Sequence, residues 1–214
     1  NKLDLGLLLN NNIYSLSDEK HYVSNNMNDF LQMGEEGIKK AKILEENIKQ
    51  ELTDVSAIKL DSAELFAPVP NPTSCRDAYA FRQHVATARR NRGLEMIPEF
   101  DEIPIFYFTN HNAVFGPGNF PVLSKHLGKL DFELECAAVI GKGGRNISAN
   151  KADDHVFGFM IMNDFSARVM QMQEMKLNLG PAKGKDFGSS FGPWLVTKDE
   201  LESYRKPSSD GDRY

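Results

Sequence analysis

With only two cysteines, Cys75 and Cys136, in 214 residues and no C-x-x-C spacing, the sequence excludes a disulfide framework and gives no support to zinc or redox chemistry. Long apolar runs are missing as well. The densest, VFGFMIM at 156–162, is far short of the roughly 20 residues that cross a bilayer, and no basic-then-apolar leader opens the sequence. Nor is there an excess of positive charge: 25 Lys and Arg face 30 Asp and Glu, a net charge of −5, so the overall field repels polyanions and nucleic acid is not an expected partner. A soluble, unexported protein of a reducing cytoplasm, with no membrane partner, is the expectation. There is no internal repeat and no G-x-S-x-G nucleophile elbow. What is present is ordinary globular material, 41% apolar and 26% charged, too hydrophobic for a linker or a disordered chain. The sequence starts at Asn1 and stops in the polar stretch SSDGDRY, which reads as a fragment cut at both ends.

Residues 1–66 differ in texture from the rest. LGLLL (5–9), an NNN turn and IYSL predict a short hairpin, and EEGIKKAKILEENIKQEL (35–52) carries Ile38, Ala41, Ile43, Leu44 and Ile48 near helical spacing. A small α+β N-terminal domain is expected, closed by APVPNPTS (67–74), whose three prolines hold the backbone extended. From 67 to 214 a second, strand-rich domain is expected: IPIFYFT, LDFELECAAVIG, HVFGFMIMND and PWLVT follow one another with turns between. Helices are predicted at 74–93, with Ser74 as N-cap and Gly93 as stop, and at 166–176. Strands without a helix between each pair favour a β-rich α+β domain over a doubly wound sheet.

Three segments carry candidate chemistry. In LDFELE, Leu130, Phe132 and Leu134 alternate with Asp131, Glu133 and Glu135, so a strand would turn its apolar face to the core and three carboxylates the other way. That face is either solvated or a site for a hard cation, because oxygens two residues apart on one strand can converge on Mg²⁺ or Ca²⁺. HVFGFMIMND delivers Asp164 at the end of an apolar run, where it serves as a ligand or caps the helix beginning near Ser166. Asp77 and His84 are seven residues apart, on one face of the expected helix; they are either a ligand with a general base or a capping-box residue with an unremarkable histidine. LGPAKGKDFGSS fails as a phosphate loop, with three residues between Gly180 and Gly184 and Asp186 where Ser or Thr is needed, and reads as an exposed basic turn; GKGGRN reads as a hairpin turn.

Taken in order, RDAYAFRQHV, IPIFYFTNHNAVFGPG, LDFELECAAVIG, FGFMIMNDFSARVMQ and LGPAKGKDFG resemble the fumarylacetoacetate hydrolase family across about residues 64 to 198. The resemblance implies a mixed β-sandwich roll, usually in a homodimer, with a divalent cation (Mg²⁺ or Ca²⁺, with Mn²⁺ a further candidate) held by Asp77, Glu133, Glu135 and Asp164. It places Lys185 and Ser189 beside that cation, makes His84 and Lys185 the catalytic residues, and aligns Tyr79, Tyr107, Gln171 and Arg168 with groups that touch the substrate. Asp131 is left as a surface acid. Arg90 and Arg92 are rival counterparts of a substrate arginine, Met175 replaces a tyrosine, and the acid that orients the histidine has no counterpart within the sequence. The implied activity is metal-dependent hydrolysis of a carbon–carbon bond in a 1,3-diketo or acylpyruvate-type acid, in aromatic or amino-acid catabolism such as tyrosine degradation. Decarboxylation, isomerisation or hydration of a 2-oxo acid at the same site, and a family member without catalysis, are the alternatives.

Overall fold

The computed structural model describes residues 3–208 and 211–213. The expected hairpin forms from β1 (Gly6–Leu9) and β2 (Asn12–Ser15), paired antiparallel with Leu9 opposite Asn12. Asn10 and Asn11 sit at φ 50° and 61°, the left-handed conformation a two-residue hairpin turn requires and asparagine tolerates. Next come α1 (Met27–Met33) and α2 (Glu35–Lys49). The Asn26 side chain caps α1 by accepting from the Asp29 N–H at 2.9 Å. β3 (Ala57–Lys59) then completes a three-stranded sheet at the edge of β2.

Helical periodicity misleads over 74–81. Arg76–Ala78 is a strand, β4, and the helix α3 spans only Arg82–Arg90, with Phe81 rather than Ser74 at its N-cap position. Beyond the short α4 (Glu99–Glu102) lies β5 (Phe106–Phe108), which pairs antiparallel with β4 and sets Asp77 opposite Tyr107. The Arg76 guanidinium lies 4.6 Å from the Phe108 ring centroid. A ladder with a strand thirty residues away outweighs local helix preference here, so Asp77 and His84 occupy different elements rather than one helix face. Gly93 does act as a stop, at φ 71°, with its N–H on the Arg90 carbonyl at 2.9 Å.

The remaining strands are β6 (Val114–Phe115), β7 (Leu130–Asp131), β8 (Leu134–Ile140), β9 (Val156–Asn163) and β10 (Ser166–Ala167); after α5 (Arg168–Glu174) and α6 (Ala182–Lys185) come β11 (Ser189–Phe191), β12 (Val196–Thr197), β13 (Lys206–Ser208) and β14 (Gly211–Arg213). Five of these form one sheet around β9, with β8 along one edge and β11 and β12 along the other, and β6 parallel to β11. Gly158 is required where β12 crosses β9, because a Cβ there would stand 2.2 Å from the Val196 carbonyl oxygen. The fold is α+β, as expected. GKGGRN opens a long connection between β8 and β9 rather than a tight turn; 3₁₀ structure over Ala149–His155 ends that connection.

Buried Leu16, Val23, Phe30, Leu44, Val55, Val69, Val139 and Phe157 make one apolar cluster, with the Phe30 and Phe157 rings edge to face at 5.8 Å. Side chains from both sides of residue 66 therefore share a core. Among the described residues no helix is long and apolar enough to cross a membrane, and Cys75 and Cys136 are free thiols.

The expected facing of LDFELE is inverted. β7 and β8 are separate strands, and Leu130, Phe132 and Leu134 point outward, the last two 69% and 74% exposed in this chain. The inward face of β8 is Glu135, Ala137 and Val139, so one strand face runs from the apolar core at Val139 to the acidic end at Glu135. Alternation fixes which residues share a face; what lies against each face decides which one is inside.

Candidate active site

Four separate positions deliver one carboxylate each. Asp77 comes from the middle of β4, Glu133 from the break between β7 and β8, Glu135 from the start of β8, and Asp164 from the residue after β9. Two bonds tie Glu133 to the end of β9, the Asp164 N–H donating to the Glu133 carbonyl at 3.1 Å and the Glu133 N–H to the Asn163 side-chain oxygen at 3.1 Å, while the β8–β9 ladder sets Glu135 opposite Met162. One oxygen of each of the four acids lies within 4.8 Å of all the others. Asp164 is not a helix cap, since Ala167 occupies the N-cap position of α5. Its carboxylate, 0% exposed, instead accepts from the Tyr107 hydroxyl at 3.1 Å and the Ser189 hydroxyl at 3.3 Å. The Tyr107 hydroxyl also lies 2.6 Å from Asp77 Oδ2.

Two cations hold part of this charge. Lys185 lies on α6, 3% exposed, so the stretch expected as an exposed basic turn is buried at this residue. Its Nζ is 2.7 Å from Glu133 Oε2 and 2.9 Å from Asp164 Oδ2. Burial works against its charge, but the two carboxylates outweigh it and raise its pKa. The ammonium has no lone pair to offer a metal, so Lys185 is placed as a donor to two of the four acids rather than as a ligand among them. Arg168 sets Nη1 2.7 Å from Glu133 Oε1 and 3.0 Å from the Gln171 side-chain oxygen. Burial likewise opposes ionisation of Glu133, yet Lys185 and Arg168 hold its carboxyl below the usual carboxylate range.

Glu135 has no such partner among the described residues. Burial, followed by the charges of Asp77, Asp164 and Glu133, pushes it up to about 8. Burial and the same acidic surroundings push the neighbouring Cys75 thiol up to about 11 and keep the Tyr107 phenol protonated as a donor. A half-buried carboxylate facing three others with no ion-pair partner of its own among the described residues, only the more distant charge of Lys185, is the arrangement that a hard divalent cation relieves, and an all-oxygen donor set suits Mg²⁺, Ca²⁺ or Mn²⁺. Because Glu135 must lose its proton to bind a cation, binding at pH 7 should expel close to one proton. The apparent affinity should strengthen by up to about tenfold per pH unit as pH rises toward 8 and level off above it. Calorimetric titration of Mn²⁺ in buffers of different ionisation enthalpy measures that proton directly.

Of the residues named from the sequence, Asp77, Glu133, Glu135, Asp164, Lys185, Ser189, Tyr107, Arg168 and Gln171 form one connected constellation. His84 and Tyr79 lie outside it. Both are exposed, their ring centroids 6.3 Å apart, and His84 has no side-chain hydrogen bond or acidic partner among the described residues. Asp131, expected as a surface acid, shares the alternation of Glu133 and Glu135, and its Oδ2 pairs with Arg168 at 2.8 Å.

Residues 73–208 match the family model described as fumarylacetoacetate (FAA) hydrolase C-terminal. Among curated proteins, the fumarylacetoacetase of Arabidopsis thaliana is 47% identical over 98 residues, 44% of this chain and 21% of that protein. The fumarylacetoacetase of Dictyostelium discoideum is 28% identical over 244 residues, 97% of this chain and 56% of its own length. The chain thus spans about half, or less, of the length of these relatives. A putative HpcE protein from Mycobacterium smegmatis superposes with a TM-score of 0.69 at 22% identity, over 94% of this chain and 66% of its own. The maleylpyruvate hydrolase from Sphingobium sp. SYK-6, solved with manganese(II) and pyruvate, superposes with a TM-score of 0.59 at 20% identity, over 94% of this chain and 67% of its own. At those identities the superpositions speak for the fold.

Proposed function

The chain belongs to the fumarylacetoacetate hydrolase family, and from that membership and the converging carboxylates we propose that it forms the divalent-cation site of a hydrolase. Its substrate would be a 1,3-diketo or acylpyruvate-type acid, split at a carbon–carbon bond. The observation that carries the reading is Glu135, half-buried against three other acids with no ion-pair partner of its own among the described residues. The manganese and pyruvate in the Sphingobium relative agree with a cation site that takes an oxo acid. On family resemblance the proposal extends to a homodimer in the cytoplasm.

A cation held by Asp77, Glu133, Glu135 and Asp164 would supply Lewis acidity, polarising a substrate carbonyl and offsetting enolate charge. The other steps fall to the protein's own groups. On the family resemblance, an imidazole nitrogen of His84, which stands outside the constellation described above, would take a proton from water, and the resulting hydroxide would add to the substrate carbonyl carbon. The carbon–carbon bond then breaks, its electron pair leaving as an enolate, which is reprotonated by the imidazolium. Lys185, fixed by Glu133 and Asp164, offers Nζ–H to the developing oxyanion, and Arg168 with Gln171 presents further donors beside it.

The test is an absorbance assay of the intact protein on fumarylpyruvate, acylpyruvates, fumarylacetoacetate and oxaloacetate, with Mg²⁺, Ca²⁺ or Mn²⁺ and with EDTA, identifying the products. Release of two carboxylic acids, abolished by EDTA, is expected. Carbon dioxide release or isomerisation without cleavage would replace the reaction, and inactivity with intact Mn²⁺ binding would make this a non-catalytic family member.

A further inference from the structure

We propose that Asp131 is a positioning residue for the cation site, acting through Arg168; this rests on the metal-site reading above. β7 and β10 pair so that Asp131 stands opposite Ser166, two residues before Arg168. The Asp131 carboxylate is itself pinned, with Oδ1 accepting from the Phe132 N–H at 3.0 Å. Its Oδ2 takes both Nε and Nη2 of Arg168 at 2.8 Å. That grip on one edge of the guanidinium leaves Nη1 to meet Glu133 Oε1 at 2.7 Å and Gln171 at 3.0 Å. Every nitrogen of the guanidinium is thereby engaged, and its plane is set by Asp131 on one edge and Glu133 with Gln171 at the remaining nitrogen.

Asp131 shares no hydrogen bond or ion pair with Asp77, Glu135, Asp164 or the Glu133 carboxylate among the described residues, and besides its hold on the Phe132 N–H its carboxylate reaches them through Arg168. Without it, Arg168 keeps one anchor on the acid side and regains the rotamer freedom of a long side chain, while its charge is no longer balanced. A loosened Glu133 and an unneutralised cation both weaken divalent-cation binding. Partners behind a metal ligand that fix its orientation typically change affinity by about 10- to 100-fold when removed.

The experiment is calorimetric Mn²⁺ titration of the chain and of Asp131→Asn, Arg168→Ala, the double variant and Asp131→Glu, with thermal midpoints alongside. Asp131→Asn should weaken Mn²⁺ about tenfold while its thermal midpoint stays near that of the parent, and Asp131→Glu, which keeps the anion, should recover part of the loss. In the Arg168→Ala background, adding Asp131→Asn should change affinity less than about twofold. An Asp131→Asn variant with parental affinity, or a tenfold loss that persists without Arg168, overturns the positioning role while leaving the metal site standing. Failure of the parent chain itself to bind Mn²⁺ overturns the metal site, and the positioning role with it.

Discussion

Replacing Glu133 with Gln should remove divalent-cation binding and turnover together. Glutamine keeps the shape of the side chain and the neutral oxygen but loses the anion that faces Asp77, Glu135 and Asp164. Ligand charge sets hard-cation affinity, so Mn²⁺ binding should fall about a hundredfold or more, and catalysis with it. The fold should survive, because Lys185 keeps Asp164 at 2.9 Å and Arg168 keeps Asp131 at 2.8 Å. Loss of one charged contact to each cation should cost about 1–3 kcal/mol in the metal-free protein. The sign with pH follows from the depressed carboxyl of Glu133: its contribution is present at neutral pH and disappears as pH falls through the carboxylate range, so the parent and variant should converge in acid. Titration calorimetry and thermal denaturation with and without Mn²⁺ measure both effects. Parental Mn²⁺ affinity in the variant would remove Glu133 from the ligand set.

His84→Ala should separate what Glu133→Gln joins. His84 is exposed on the first turn of α3 and shares no hydrogen bond with the four acids, so Mn²⁺ affinity should hold within about twofold and stability within about 0.5 kcal/mol. If the imidazole is the base that activates water, kcat should fall by about 10²- to 10⁴-fold with saturating metal. Rapid-mixing assays with whichever substrate the absorbance assay identifies give kcat and KM separately. Parental kcat would transfer the base role to another group.

Periodic pattern and turn chemistry were legible before any coordinates. Asn10 and Asn11 mark the hairpin because asparagine accepts positive φ, and α2 shows its buried stripe at Leu44. The apolar run of β9 ending at Asp164, and the alternation around Glu133 and Glu135, picked out three of the acids that converge. Asp77 lies in the acidic cluster, but not by way of the helix face expected over 74–93. Its helix is a strand, held by a partner thirty residues away that no window around 74–93 contains. Nor could the sequence show that Lys185 in a glycine-rich turn is nearly fully buried, because that depends on which carboxylates approach it from β8 and β9.

The sequence by itself determined composition class, element types in the strongly periodic segments, and which side chains share a strand face, because these follow from covalent geometry with periods of two and 3.6 residues. Only the tertiary structure decided which face of LDFELE turned inward, that Asp131 reaches Arg168, and that Glu135 is left without an ion-pair partner of its own among the described residues. Those outcomes depend on long-range contacts, where burial raises the free energy of every unpaired charge and distance decides which cation neutralises which acid.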